Sequence, residues 1–267
     1  MKPFLKWAGG KQQLISQYTP HLPPPEAIDC YYEPFVGSAA LFFHLQPRRA
    51  RLSDRNDKLI ALYRVVRDDL DSILPILGGH KNDHDYYYAI RDQRHETLSP
   101  PEQAARLIYL NRTCYNGLYR ENSSGHFNVP FGRYKRPRIC DAERLRAASA
   151  ALQGVDLQVL DFAAAVADAR PGDFVYFDPP YVPLSATSNF TSYNRYGFSA
   201  DDQRRLAETF HTLSGRGVQV MLSNSDTPLV HELYSDHGYT INNIRARRSI
   251  NRNPDGRGPI TELLILG

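Results

Sequence analysis

Phe174-Val175-Tyr176-Phe177-Asp178-Pro179-Pro180-Tyr181 is the stretch from which the rest of the chain can be read. Its first four residues are apolar and β-prone, the mark of a buried strand, and the two prolines forbid that strand to continue. The carboxylate of Asp178 and the ring of Tyr181 therefore stand at a carboxyl edge, which in an open α/β sheet is where ligands bind. Such an edge suits chemistry on an exocyclic amino group. Asp178 and the carbonyl of Pro179 can each accept a hydrogen bond from an amine, the paired rings of Pro179 and Pro180 keep those acceptors rigid, and Tyr181 offers a flat face to a planar base drawn out of its stack. Aligning a nitrogen lone pair with an incoming methyl group in this way is catalysis by positioning and needs no strong base. Taken alone, the tetrapeptide is equally compatible with a strand that simply ends in a turn.

Toward the amino end, Phe4-Leu5-Lys6-Trp7-Ala8-Gly9-Gly10-Lys11 places two glycines ahead of a helix pattern, so a carboxylate-bearing ligand could sit there with Lys11 beside it. Trp7, the one tryptophan, suits core filling and ligand stacking equally. Next, Tyr31-Tyr32-Glu33-Pro34-Phe35-Val36-Gly37-Ser38-Ala39-Ala40 reads as strand, tight turn and helix start, the nucleoside-binding βα turn. It gains weight from a second strand ending at Asp54, an acid placed to hydrogen-bond ribose hydroxyls. No phosphate-cradling GxxxxGK[ST] loop occurs, which argues against a bound nucleoside triphosphate.

From Asn56 the rhythm changes. Apolar spacing predicts helices around Leu59 to Val66, Asp85 to Arg94 and Glu102 to Asn111 with no strand between them, an inserted helical subdomain. It runs into Asn111-Arg112-Thr113-Cys114-Tyr115-Asn116-Gly117-Leu118-Tyr119-Arg120, and the continuation through Pro130, Arg133 and Tyr134 predicts a hairpin turning near Ser124-Gly125. Interleaved aromatic and basic side chains suit wedging between bases, phosphate contact and guanine readout, although aromatic residues in a hairpin also serve as its small core. Charge sharpens the pattern. Residues 106–138 carry +6 and residues 245–257 carry +4, leaving −7 for the rest of a chain whose total is +3. Positive charge gathered into two loop-rich stretches of an otherwise acidic chain is the footprint of a polyanion partner; a solvated basic face is the bland alternative.

Downstream of the insertion the α/β rhythm resumes, with helices expected at residues 141–152, 201–213 and 227–234, strands at 155–160 and 218–222, and an antiparallel pair at 239–244 and 260–266 closing the sheet. The polar stretch 183–197 is too long for mere linkage and is expected to act as a lid or DNA-contacting loop. At 267 residues the chain can bury a full core, and with no long apolar run and no secretory signal at its start, cytoplasmic residence is expected. Cys30, Cys114 and Cys140 are odd in number and lack metal-ligand spacing, so neither a disulfide framework nor a metal site is supported.

Along essentially its whole length the chain resembles the Dam-type DNA adenine-N6 methyltransferases. The segments that carry the resemblance are FLKWAGGK, EPFVGS, NRTCYNGLYR, FNVPFGRYK, DPPYVPLSATSNFTSY and RRSI, in that order. It implies an α/β, Rossmann-like class I methyltransferase domain with a mostly parallel central sheet, formed by residues 1–55 and 146–267, and a target-recognition subdomain with a DNA-contacting hairpin at 56–145. It further implies S-adenosylmethionine as cofactor, held by Trp7, Lys11, Asp54 and Asp178, with Phe35 and Gly37 forming the turn beneath it and Asp161 and Phe162 beside its adenine. Asp178, Pro179, Pro180 and Tyr181 match the catalytic motif that presents N6 of a flipped adenine to the methyl group. Lys6, Arg112, Tyr115, Asn116, Leu118, Arg120, Pro130, Arg133 and Tyr134 fall on or beside DNA-contacting positions, with Arg120 as reader of a guanine and Tyr115 as wedge. A GATC target in double-stranded DNA, no metal, no obligate protein partner and a monomeric state are expected, in restriction-modification or in replication-linked DNA methylation. Two departures stand out: the family's second turn glycine is Ala39 here, and the arginines of 251–258 are assigned only to phosphate attraction. The alternatives are a DNA cytosine-N4 methyltransferase, in which Ser is more usual at the Asp178 position, and a DNA-binding relative that has lost catalysis.

Overall fold

The computed structural model describes residues 1–7, 9–183, 198–247 and 259–267. Seven strands form one sheet: β1 (Tyr31–Glu33), β2 (Ala50–Asp54), β3 (Asp156–Val159), β4 (Phe174–Phe177), β5 (Gln219–Ser225), β6 (Thr240–Arg247) and β7 (Pro259–Leu266). Their order is β3-β2-β1-β4-β5-β7-β6. All neighbours are parallel except β7, which runs antiparallel to both β5 and β6. Strand β4 is buried at all four positions and pairs on both edges, with β1 and β5, which is why its sequence is an unbroken apolar run. The chain proceeds outward from β1 to β3 on one side and from β4 to β5 on the other. The carboxyl ends of β1 and β4 therefore flank the point where the winding reverses, and a crevice opens there.

Ten helices occur among the described residues: α1 (Ile15–Tyr18), α2 (Ala40–Leu45), α3 (Asp57–Asp68), α4 (Leu70–Gly79), α5 (His84–Asp92), α6 (Pro100–Thr113), α7 (Ala142–Leu152), α8 (Phe162–Ala165), α9 (Ala200–Gly215) and α10 (Pro228–Tyr234). Local signals start them. Asn56 caps α3 by accepting from the Leu59 amide at 3.1 Å, Asp83 caps α5 through the Tyr86 amide at 2.9 Å, and Glu102 reaches back to the Ser99 amide at 2.8 Å ahead of α6. The sequence reading misses the short α8 and, more notably, α4. Pro75 lies within it and reads as a breaker, yet burial of Ile73 and Leu77 holds it. No helix among the described residues is long and apolar enough to cross a membrane.

Two apolar clusters cover the two faces of the sheet. One gathers Phe177, Leu206, Phe210 and Leu222. The other runs without a break from Phe43 through Tyr63 to Tyr109 and Val129, so the helical insertion shares its core with the sheet.

The expected hairpin is looser than a two-stranded ribbon. It closes through two isolated antiparallel bridges, Cys114 with Phe131 and Glu121 with Phe127, around a turn in which the Asn122 side chain accepts from the amides of Ser124 (3.0 Å) and His126 (2.9 Å). Pro130 offers no amide, and Asn116 and Arg133 adopt positive φ of 54°, so a continuous ladder cannot form. Of the polar stretch 183–197 only Pro183 is described, and Arg248, Arg252 and Arg257 likewise lie outside the described residues.

Candidate active site

Where β4 ends, Asp178 is fixed through one oxygen. Its Oδ1 takes the Lys11 ammonium at 2.9 Å and the Ser223 hydroxyl, from neighbouring β5, at 2.9 Å. Ser223 is itself held by the Tyr176 hydroxyl at 3.0 Å. Burial raises the Asp178 carboxyl above its ordinary range, while Lys11 opposes that shift. Among the described residues nothing donates to Asp178 Oδ2 or to the Pro179 carbonyl, and both residues line the crevice. The backbone beyond is pinned in turn: the Gln203 amide of α9 donates to the Pro180 carbonyl at 2.9 Å, and Asn224 Oδ1 accepts from the Val182 amide at 3.3 Å. The phenol of Tyr181 donates to Glu262 Oε2 on β7 at 2.8 Å, and the Lys11 ammonium lies 4.4 Å from the centroid of the Tyr181 ring.

Lys11 is 3% exposed, and its ammonium also donates to the Gly9 carbonyl at 2.9 Å. Burial pulls its pKa down, but Asp178, Tyr18 and Glu262 outweigh burial and the net shift is upward, so Lys11 is a fixed cation. The structure thus sets Lys11 on the Asp178 carboxylate, where the sequence reading had it beside a ligand carboxylate.

On the β1 side, the turn after Glu33 passes through Gly37 (φ 44°) and Ala39 (φ 54°, ψ 37°). A Cβ at Gly37 would approach Trp7 Cδ1 to 2.9 Å, so only glycine lets the indole close over the turn. Asp54 accepts from the amides of Asn56 (2.9 Å) and Gly37 (3.5 Å), and burial pushes its carboxyl up to about 6. Tyr63 donates to the Gly37 carbonyl at 2.9 Å. Glu33, unremarked in the sequence, is buried and accepts from the Tyr31 hydroxyl (2.9 Å) and the Phe42 amide (3.2 Å); burial lifts its carboxyl to about 8. Phe35 stacks on Phe162 at 5.4 Å and meets Phe198 edge-on at 5.7 Å, an apolar shelf. Asp161 is occupied otherwise: Arg205 grips both its oxygens at 2.6 and 2.9 Å, Arg55 lies 3.3 Å away, and the Ala163 amide makes it the cap of α8. That pairing holds its carboxyl below the usual range.

The insertion supplies the opposite wall. Asn111 pins Lys6 by accepting its amide at 2.8 Å, and the Lys6 ammonium lies 4.2 Å from the Tyr134 ring centroid. Tyr115 is 45% exposed, high for so large a ring, and its amide donates to the Pro130 carbonyl at 2.8 Å. The Arg120 guanidinium is braced by Asn128, donating to its Oδ1 at 2.6 Å and to its carbonyl at 3.1 Å. Arg112 turns inward, donating to the Arg138 carbonyl at 3.0 Å, and burial lowers its pKa. Trp7 stacks on Tyr119 at 5.3 Å, and Tyr119, Lys58 and Glu121 join in a polar link at the base of the hairpin.

One cleft of about 1300 Å³ joins these walls. It is lined by Asp178, Pro179, Pro180 and Tyr181, by Trp7, Lys11, Phe35, Gly37, Asp54 and Phe162, and by Lys6, Arg112, Asn116, Leu118 and Tyr134. Asp161, Tyr115, Arg120, Pro130 and Arg133 do not line it. Sequence reasoning missed Ser223, Gln203, Glu33 and Glu262. The one usable signal was compositional: Ser223-Asn224-Ser225 and Glu262 are polar interruptions of strands otherwise apolar enough to be core.

Residues 7–250 match the family model described as D12 class N6 adenine-specific DNA methyltransferase. The chain is 45% identical over 275 residues to a type II methyltransferase of Lactococcus lactis subsp. cremoris, an alignment covering 99% of this chain and 95% of that one. It is 41% identical over 287 residues to a type II methyltransferase of Methanocaldococcus jannaschii, covering 100% and 99%. A DNA adenine methylase of Serratia marcescens is 40% identical over 270 residues, covering 99% and 98%.

Proposed function

The chain belongs to the D12 class N6 adenine-specific DNA methyltransferase family, and from that premise we propose that it transfers a methyl group from S-adenosylmethionine to N6 of an adenine flipped out of duplex DNA at GATC. One juxtaposition carries the reading. The Asp178-Pro179-Pro180-Tyr181 edge shares a single cleft with a nucleoside-sized turn on one side and an aromatic and basic wall on the other. At about 1300 Å³ the cleft exceeds the roughly 300–1,000 Å³ usual for one small ligand, leaving room for a cofactor and a base together.

The residues present fit the cofactor. Gly37 and Trp7 form a close-approach turn, the Asp54 carboxylate is held at its rim for ribose hydroxyls, and Phe35 and Phe162 give the adenine ring an apolar shelf, with Asp161 acting behind it by fixing Arg205 over Phe162. When bound, S-adenosylmethionine supplies an electrophilic methyl group on a sulfonium. Asp178 Oδ2 and the Pro179 carbonyl accept the two amine hydrogens, which aims the N6 lone pair; Lys11 and Ser223 stop the carboxylate from rotating away. Tyr181 stacks on the base.

Residues 56–145 recognise the target. Arg120, its guanidinium plane set by Asn128, reads a guanine, and Tyr115 wedges into the stack. Lys6, Asn116, Leu118, Pro130, Arg133 and Tyr134 contact the duplex, while Arg112 supports them from beneath through Arg138.

Incubation with plasmid DNA and S-adenosylmethionine, digestion to nucleosides, and single-base mapping test the proposal. N6-methyladenine confined to GATC is expected. N4-methylcytosine, or N6-methyladenine scattered without regard to GATC, would overturn it.

A further inference from the structure

Resting on that reading of the cleft, we propose that Glu262 is a positioning residue of the transfer: by accepting the Tyr181 phenol it fixes the plane of the ring on which the flipped base stacks. Tyr181 leaves a backbone already locked by Pro180, Gln203 and Asn224, so the remaining freedom of its ring is rotation about its side-chain bonds. The 2.8 Å hydrogen bond to Glu262 Oε2 ties the far end of the ring and removes that freedom. Glu262 is a firm anchor. It lies inside β7 opposite Ser225 on one edge and Ile244 on the other, and it is 9% exposed. Burying an acid in a strand that otherwise reads Leu263-Leu264-Ile265 costs free energy that an apolar side chain would not.

The same cluster chooses the face of the ring. The Lys11 ammonium sits 4.4 Å from the Tyr181 centroid and is immobilised by Asp178 at 2.9 Å, the Gly9 carbonyl at 2.9 Å and Glu262 at 3.9 Å. With one face covered by a cation that cannot leave, the base stacks on the other face. Lys11 touches Asp178 and Tyr181 alike, so the acceptor for the amine and the platform for the ring are set by one rigid unit.

Four variants test this: Glu262→Ala, Glu262→Gln, Tyr181→Phe and the double variant Tyr181→Phe/Glu262→Ala. Each is assayed for kcat, for KM toward duplex and cofactor, for S-adenosylhomocysteine binding by calorimetry, for fluorescence of a duplex carrying 2-aminopurine at the target adenine, and for thermal melting. Glu262→Ala should lower kcat by roughly 10- to 100-fold, the loss expected when a reacting group is misplaced by about an ångström. Its KM values and S-adenosylhomocysteine affinity should hold, and its 2-aminopurine signal should exceed wild type because the extruded base stacks less well. Glu262→Gln keeps an oxygen for the phenol and should recover most of kcat. Tyr181→Phe should match Glu262→Ala, and the double variant should be no slower than either. Wild-type kcat in Glu262→Ala, a Glu262→Gln as slow as Glu262→Ala, or losses that multiply in the double variant would each overturn the proposal. If Glu262→Ala fails to fold, Glu262→Gln and Tyr181→Phe decide alone: near-wild-type kcat in the first with a loss in the second is the expected pair. Absence of N6-methyladenine from the wild-type reaction would instead sink the underlying reading.

Discussion

At the end of β4, Asp178, Pro180, Tyr181 and Val182 are fastened in turn to β5, α9, β7 and β5, whereas from Cys114 to Tyr134 the chain pairs with itself through two isolated bridges, one turn and scattered hydrogen bonds such as those of Arg120 to Asn128. The first region is held residue by residue from outside, which suits the in-line transfer proposed above. The second presents an exposed ring and cations on a loop held from outside by the stack of Trp7 on Tyr119, by Lys58 on Glu121 at 2.8 Å and on the Gly125 carbonyl at 2.7 Å, and by the Tyr87 hydroxyl on the Val129 carbonyl at 2.8 Å. On the proposed reading, the target is met by a loop with few ladder hydrogen bonds, which suits a deformable duplex. On that reading the labour divides: transfer is built on strand ends, target contact on a loop.

Breaking the first region should have the largest effect. Asp178→Ala should abolish detectable methyl transfer, by more than the roughly 10²- to 10³-fold that one transition-state hydrogen bond supplies, because it removes an acceptor and unpairs Lys11. Duplex affinity in a filter-binding assay should change little, since phosphate contacts dominate it. Residual transfer near the wild-type rate would dissolve the contrast between the regions.

Next comes Glu33, the buried acid that ends β1. Because burial lifts Glu33 from its ordinary 4.5 to about 8, the folded chain keeps a proton that the unfolded chain releases. Its contribution to stability is therefore complete below about pH 4.5 and shrinks as pH rises toward 8. At ~1.4 kcal/mol per pKa unit the decline is on the order of a few kcal/mol. Glu33→Gln should flatten that part of the stability profile in urea melts at stepped pH; an unchanged slope would assign the decline to other groups.

In the second region the expectation is smaller and of another kind. Arg120→Ala should cost roughly 1–3 kcal/mol of discrimination at a single base pair while weakening nonspecific binding less. Competition between duplexes altered one pair at a time measures it, and equal loss at all positions would make Arg120 a phosphate contact.

The smallest effect belongs to Ala39. Its left-handed backbone costs about 1–2 kcal/mol in an L-residue, while its methyl, fully buried, returns ~0.8 kcal/mol. Ala39→Gly should thus raise stability by less than about 1 kcal/mol in a thermal melt. Marked destabilisation would show that packing, not backbone strain, governs the turn.

Most of the fold was legible because its signals are local. The apolar run Phe174 to Phe177 and the 17-residue step from Gly37 to Asp54 each need only a short window. α4 was lost because Pro75 imitates a boundary, and only tertiary burial overrides it. In the site, the strand ending at Asp178 and the glycine turn after β1 could be read from residue types, but the partner of Lys11 could not. Lys11 and Asp178 are brought together by the winding of the sheet, as are Tyr181 and Glu262, 81 positions apart. The hairpin was foreseen in place and missed in form: Asn116, followed by Gly117, carries a cue for its positive φ, but Arg133 carries none.

The reversed strand β7 has a consequence for biosynthesis. Translation delivers β5 and β6 first, and they can lie side by side only with an open slot between them, which residues 259–267 later fill. Until those residues emerge, the nascent polypeptide holds Tyr181 without its carboxylate anchor.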